Sequence, residues 1–279
     1  GLFFGLSRFI TDLMWYGQLG FQSVVWTQLG VKIGLWVAYA LLMALTGFVS
    51  AWLAIRARPD SADGSTIRIN GDVVEVGKSV SSKTARRVAV VISLIVGVIF
   101  GSQFNANWSE ILLMFNAQSF GTTDPQFGLD NGFYVFVLPG LKLVLAAVAM
   151  LLGVGLVFSV VTHVLMGGIR ITMPVNGRGL FSITKRCRRQ LGIWLMLNMF
   201  AWAVRQMIGV FDQLTVQGSR ITGASYTAVH ANIPVTFIMA VLTAILGVVL
   251  GIWLMRSHTL EGQASIGVRA SAALKAWRV

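Results

Sequence analysis

Outside the basic connecting segments chemistry-bearing side chains are sparse, and the run Ser119–Pro139, SFGTTDPQFGLDNGFYVFVLP, gathers carboxylates and aromatics among turn formers. Asp124 and Asp130 both lie in it, and a pair of carboxylates brought together can hold a cation or divide acid and base roles. Each also has a plainer use. Asp124 precedes a proline and Asp130 precedes Asn131-Gly132, positions where an aspartate bonds its own backbone to make a turn, and turn formation accounts for both. Tyr226 and His230 share a face of any helix formed there, yet no serine or carboxylate stands beside them at a nucleophile-motif spacing. Arg205 sits inside an apolar run, roughly 7 Å from its end at 1.5 Å per residue, where it either snorkels to the surface or pairs with Asp212 or Asp12. Lys142, at the start of another run, reads as a snorkelling anchor. His163 is placed either to titrate near neutrality or, more simply, to bond a carbonyl.

Other chemistries find no support. His163, His230 and His258 fall on different segments without metal-ligand spacing, and a single cysteine, Cys187, allows no disulfide within the chain and reads as a reduced thiol. No Gly-rich phosphate loop, zinc-protease signature or nucleotide fingerprint is present. Neither a metal nor a cofactor is expected.

The elements that must position these residues are set by hydropathy. With 56% apolar and only 11% charged residues and a mean hydropathy of +0.75, the chain could not cover its own surface as a water-soluble fold. Five apolar runs, at about 33–55, 88–104, 141–166, 190–210 and 234–255, are long enough to cross about 30 Å of hydrocarbon as helices. The expected fold is an all-α, polytopic transmembrane bundle forming a single domain over residues 1–279, with a truncated spanning helix at the front and short interfacial helices. One interfacial helix is expected to open at Asn107-Trp-Ser-Glu110, which resembles a capping box.

Charge orients the bundle. Segments 56–87, 170–189 and 256–279 hold 17 of the 22 Lys and Arg but only 5 of the 10 acids, so the whole net charge of +12 resides in them. This is the positive-inside pattern, which makes these segments cytoplasmic and 105–140 and 211–233 external. It argues against a nucleic-acid partner and for the lipid bilayer, with anionic headgroups meeting the basic loops. Within the first basic loop, Asn70-Gly71 between alternating runs predicts a hairpin over Thr66–Val76, with Ile67, Ile69, Val74 and Val76 on one face. Glycines stand four apart at Gly30/Gly34, Gly97/Gly101 and Gly247/Gly251, the last two pairs within spans, where missing side chains let helix backbones approach; close packing within the chain is the leading reading, with oligomer contacts or chance as the others. No repeat of 20–50 residues is visible.

The string Ser119–Pro139, together with Thr11–Tyr16, Gly167–Arg170 and Gly223–Ala231, resembles the bacterial family catalogued as uncharacterised protein family 0182. The resemblance runs in order along nearly the whole chain and is most specific around Asp124–Gly128. It implies a large protein with several N-terminal membrane spans followed by a big extracytoplasmic region. At Ala228 family members often carry an acid, a departure that weakens a carboxylate site in that loop. The family supplies topology and no activity.

The leading expectation is a membrane-anchoring and assembly module in the bacterial cell membrane, whose external loops receive an extracytoplasmic region or an envelope partner. A transporter or channel built around Arg205 and His163 is the alternative, and a membrane enzyme using Asp124, Asp130 and His230 is the third reading.

Overall fold

A computed structural model describes residues 2–57, 66–69, 72–75, 81–175, 178–216 and 223–256. Arg58-Pro59, where the sequence ends the first apolar run, the Asn70-Gly71 turn and the segment 257–279 lie outside the described residues. Among the described residues are seven α-helices: α1 Leu2–Gln18, α2 Gln22–Arg56, α3 Ser82–Asn105, α4 Trp108–Phe115, α5 Leu138–Leu165, α6 Lys185–Gly209 and α7 Ile233–Arg256. Among the same residues, five stretches are long and apolar enough to cross a membrane: Gln22–Arg56, Ser82–Ser102, Phe133–Leu165, Lys185–Leu214 and Ala228–Arg256. The fold is thus an all-α bundle of transmembrane type. Its helices expose Leu, Ile, Val and Trp over much of their circumference, as on α7 at Ile238, Leu242, Ile245, Val249 and Trp253, a surface that only lipid solvates without cost.

Helix ends follow local chemistry. α1 and α5 both close in Schellman turns. After α1, Gly20 adopts φ +77 and Phe21 N–H bonds the Tyr16 carbonyl at 2.9 Å. After α5, Gly167 adopts φ +71 and Gly168 N–H bonds the His163 carbonyl at 2.8 Å. α4 departs from expectation. Asn107 makes no side-chain cap bond, so the sequence's capping box is not formed; Asn107 sits at φ −109, ψ 31, outside the extended geometry that aims an N-cap side chain at the following amides.

Among the described residues, two antiparallel hairpins lie between consecutive helices. β1 (Thr66–Ile69) and β2 (Asp72–Glu75) pair Ile67 with Val74 and Ile69 with Asp72, leaving two residues for the turn as the sequence predicts. β3 (Ile169–Val175) and β4 (Arg178–Ile183) form a second hairpin, with a register shift between Thr172 and Val175 where Pro174 interrupts the ladder. Element order therefore repeats: α2, hairpin, α3 is followed later by α5, hairpin, α6.

Two compact units divide the chain, residues 1–43 with 94–143 and residues 44–93 with 144–279. In the first, a Cβ on Gly101 would come within 3.0 Å of the Trp36 carbonyl, so α2 and α3 meet backbone to backbone there, and Lys32 lies 5.3 Å over the Trp108 ring. In the second, α6 and α7 pack through glycines: Gly247 and Gly251 receive Met199 and Met196, while Gly192 receives Met255. Gly247/Gly251 and Gly101 thus serve close packing. Gly30 and Gly34 have nothing within 4 Å.

Candidate functional site

The loop between α4 and α5 is built by its two aspartates. Asp124 Oδ1 accepts the amides of Gln126 at 2.8 Å and Phe127 at 2.6 Å, and Oδ2 accepts the Leu129 amide at 3.0 Å and the Tyr134 hydroxyl at 2.8 Å. Asp130 Oδ1 accepts the amides of Phe120 at 3.0 Å and Gly132 at 2.7 Å, and Oδ2 accepts the Ser119 hydroxyl at 2.6 Å and the Gly121 amide at 3.0 Å. An ionised carboxylate offers about four lone-pair sites, and all are taken in both residues. The two turns are tied together by a Thr123–Asp130 bridge and by Asp124 N–H to the Leu129 carbonyl at 2.9 Å. Gly121 and Gly128, at φ +69 and +68, supply the left-handed corners that other residues adopt at a cost.

Electrostatics agree with the geometry. Burial, at 7% exposure, works to raise the Asp124 carboxyl, but the bonds from Phe127, Tyr134, Leu129 and Gln126 outweigh it and hold the group below the ordinary carboxylate value. For Asp130 the Ser119 hydroxyl leads, followed by the Phe120 and Gly132 amides, and together they pull the carboxyl down to about 2. Both groups are therefore anionic acceptors at neutral pH, with every lone pair directed at the protein itself. The loop closes on aromatic contacts, with Phe120 edge-on to Phe136 at 5.6 Å, and leaves Phe120 half exposed and Phe115 77% exposed.

The second expected site lies in the other unit. Tyr226 and His230 do share a helix face: their rings stack at 4.0 Å and 21°, and His230 Nδ1 sits 3.1 Å from the Tyr226 carbonyl. Tyr226 is 79% exposed. Arg205 is exposed on α6, while Asp212 lies in the 3-10 turn Phe211–Leu214 just beyond it. The side chain of Asp12 is outside the described residues.

Both loops enter their helices through a single π-helical turn, Phe133–Val137 before α5 and Ala228–Asn232 before α7. In each, the amide of the next residue, Leu138 or Ile233, bonds five residues back, and a proline follows at once, Pro139 or Pro234. A proline ring crowds the carbonyl four residues before it and brings no N–H to meet it, so a widened turn relieves the clash.

A buried polar cluster was not read from the sequence as a unit. His163 Nε2 lies 3.0 Å from Gln190 Oε1, and Gln190 Nε2 donates to the Ser50 carbonyl at 2.9 Å and the Ser159 hydroxyl at 2.8 Å. Because the Gln190 amide nitrogen donates both those bonds, its oxygen accepts, and His163 carries its proton on Nε2. Ser50 Oγ and Ser93 Oγ are buried and have no hydrogen-bond partner among the described residues. Only glycine fits at position 168, where a Cβ would stand 2.7 Å from His163 Nδ1. The sequence signal was the four-residue spacing of Ser159 and His163 in an otherwise apolar run. Gln190 gave none, standing at the edge of its run.

Set beside known proteins, the chain matches the profile described as "Uncharacterised protein family (UPF0182)" over residues 1–277. The chain belongs to this family. A UPF0182 protein of Bifidobacterium adolescentis is 76% identical over 279 residues, all of this chain and 26% of that protein. One from Kocuria rhizophila is 35% identical over 90% of this chain and 25% of its own length, and one from Corynebacterium diphtheriae is 32% identical over 85% and 24%. The chain thus spans about a quarter of the length of the curated relatives it matches. No solved structure matches it.

Proposed function

We propose that this chain is the membrane-anchoring and assembly part of a larger multi-pass protein of the bacterial cell membrane, and that the loop between α4 and α5 is a docking platform on the extracytoplasmic side. The observation that carries the reading is the saturation of Asp124 and Asp130. Eight donors spent on fixing one loop leave no carboxylate lone pair for a cation or a proton-transfer step. Among the polar side chains it exposes, the fixed loop offers outward one large aromatic, Phe120, with Phe115 exposed beside it at the end of α4, and a rigid apolar surface loses little entropy when a partner covers it. The matched relatives are about four times as long as this chain, so such a partner can belong to the same polypeptide or to another envelope protein.

Replacing Phe120 with serine in the full-length protein should leave the membrane region folded and reduce association of its extracytoplasmic region or envelope partner. Unchanged association with both Phe115 and Phe120 replaced would sink the platform. Orientation is checked separately, since an impermeant label that reached residues 56–87 from outside intact cells would invert the topology.

A second reading, transport of protons or small cations, is favoured by the buried His163–Gln190–Ser159 cluster with its two unpartnered hydroxyls. It requires flux in proteoliposomes that His163→Leu abolishes. Absence of any ion flux through the reconstituted full-length protein removes it.

A further inference from the structure

The described part of the second unit holds a cavity of about 310 Å³ where the first turn of α6 meets the last turn of α7, lined by Lys185, Arg189, Arg256, Ile252 and Met255. Among the described residues, three cations and no acid line it. We infer that this cavity binds the phosphate of an anionic membrane phospholipid, with Lys185, Arg189 and Arg256 around the phosphate and Ile252 and Met255 against the start of an acyl chain. The inference rests on the membrane reading above.

Charge is the first support. α6 opens with Lys185, Arg186, Arg188 and Arg189 and has no acid in its first turn, and its N-cap, Thr184, makes no side-chain cap bond. Cations at the positive end of a helix dipole oppose it and one another, and an anion in the adjoining cavity attracts each cation and the helix end, offsetting these repulsions. Arg256 closes the ring from the last turn of α7, where its charge suits that helix's negative end.

Shape is the second. The cavity falls at the small end of the range of about 300–1,000 Å³ common for ligand pockets, and it is formed at a fixed seam. A Cβ on Gly192 would stand 2.7 Å from Met255 Cγ and 2.9 Å from the Gly251 carbonyl, so the two helices touch one turn inside the cavity and cannot drift apart without losing that contact. Below it α7 presents Ile252, Trp253, Val249 and Ile245 as exposed apolar surface. A phosphate held at the end of a membrane-length helix with an apolar track leading away from it is the geometry of a lipid lying along the protein. A free phosphate uses the cations but gives the track no occupant.

An attraction built on charge weakens with salt. Each basic side chain near an anionic lipid surface contributes roughly a factor of five, so removing three should cost about 100-fold in affinity.

The test uses the full-length protein in detergent and a fluorescent phosphatidylglycerol, with phosphatidylcholine bearing the same tails as comparator. Wild type should prefer phosphatidylglycerol, and Lys185→Gln/Arg189→Gln/Arg256→Gln should lose that preference, whereas Arg86→Gln/Arg87→Gln on α3 should keep it. Inorganic phosphate should fail to displace the lipid. Should the triple variant elute as aggregate, Arg256→Glu alone must still lower the preference. Equal affinity for the two lipids, or displacement by inorganic phosphate, overturns the lipid site while leaving the membrane reading intact. Protein that stayed monodisperse without detergent would overturn the membrane reading itself.

Discussion

The loop between α4 and α5 and the cluster around Gln190 both place polar atoms in an apolar molecule, and they settle the cost in opposite ways. In the loop, two carboxylates receive eight donors and nothing is left over. In the cluster, one amide bridges a histidine, a serine hydroxyl and a carbonyl, and two neighbouring hydroxyls stay without partners among the described residues. A saturated network is a fastening, because any further ligand must first displace a bond already made. An incompletely bonded one is where a water, an ion or a moving proton has somewhere to go.

The comparison can be broken from the loop side first. Asp124→Ala leaves three amides and the Tyr134 hydroxyl without their acceptor, and should cost about 3 kcal/mol of local stability, read as lost amide-exchange protection across residues 118–137. Protection that survived the change would show that the bonds to Asp124 do not hold the loop. Next in size is Gln190→Leu, which strands His163 and Ser159 and should lower thermal stability by about 2 kcal/mol. A neutral result would mean that the cluster is bridged by water in its absence.

Acid sharpens the same contrast with a smaller effect. The Asp130 carboxyl is depressed from 3.8 to about 2 in the folded loop. Its contribution is therefore complete above the unfolded value and lost as pH falls through the folded one, a window from about pH 4 down to 2. Exchange protection at Gly121 and Gly132 should fall in that window, and Asp130→Asn should flatten the dependence. The smallest effect is expected at Ser50→Ala. Its hydroxyl makes no bond while its carbonyl keeps the one from Gln190, so stability should change by less than about 0.5 kcal/mol or rise. A loss greater than that would place a partner on the hydroxyl.

How far the sequence carried depended on the range of the physics involved. Hydropathy located all five membrane-length helices, because lipid solvation acts on each run by itself. The helices run past the apolar stretches, since α2 begins at Gln22, well before the run starting near residue 33, and α6 begins at Lys185 inside what reads as a basic loop. Apolarity marks where water ends, whereas a helix continues into water while its backbone bonds last. Cys187 accordingly lies in the first turn of α6, buried with Ile183 and Leu191. The turn-forming character of Asp124 and Asp130 was legible from Pro125 and from Asn131-Gly132. Their long-range donors, Tyr134 for the first and Ser119 for the second, were not, because a bond across ten or eleven residues depends on the loop having closed. The second hairpin was less legible although Asn176-Gly177 stands between Ile169–Val175 and Arg178–Ile183, because Pro174 and the register shift beside it break the strand pattern. Spacing alone did not separate the glycines that pack from Gly30 and Gly34, which have open space beside them.

The platform reading is tested most directly by a photo-reactive amino acid at Phe120 in the full-length protein, activated in intact membranes and followed by mass spectrometry of the products. The account expects crosslinks to the protein's own extracytoplasmic region or to one envelope protein, lost when Asp124→Ala loosens the loop. Crosslinks to lipid alone, unchanged by that substitution, would contradict it.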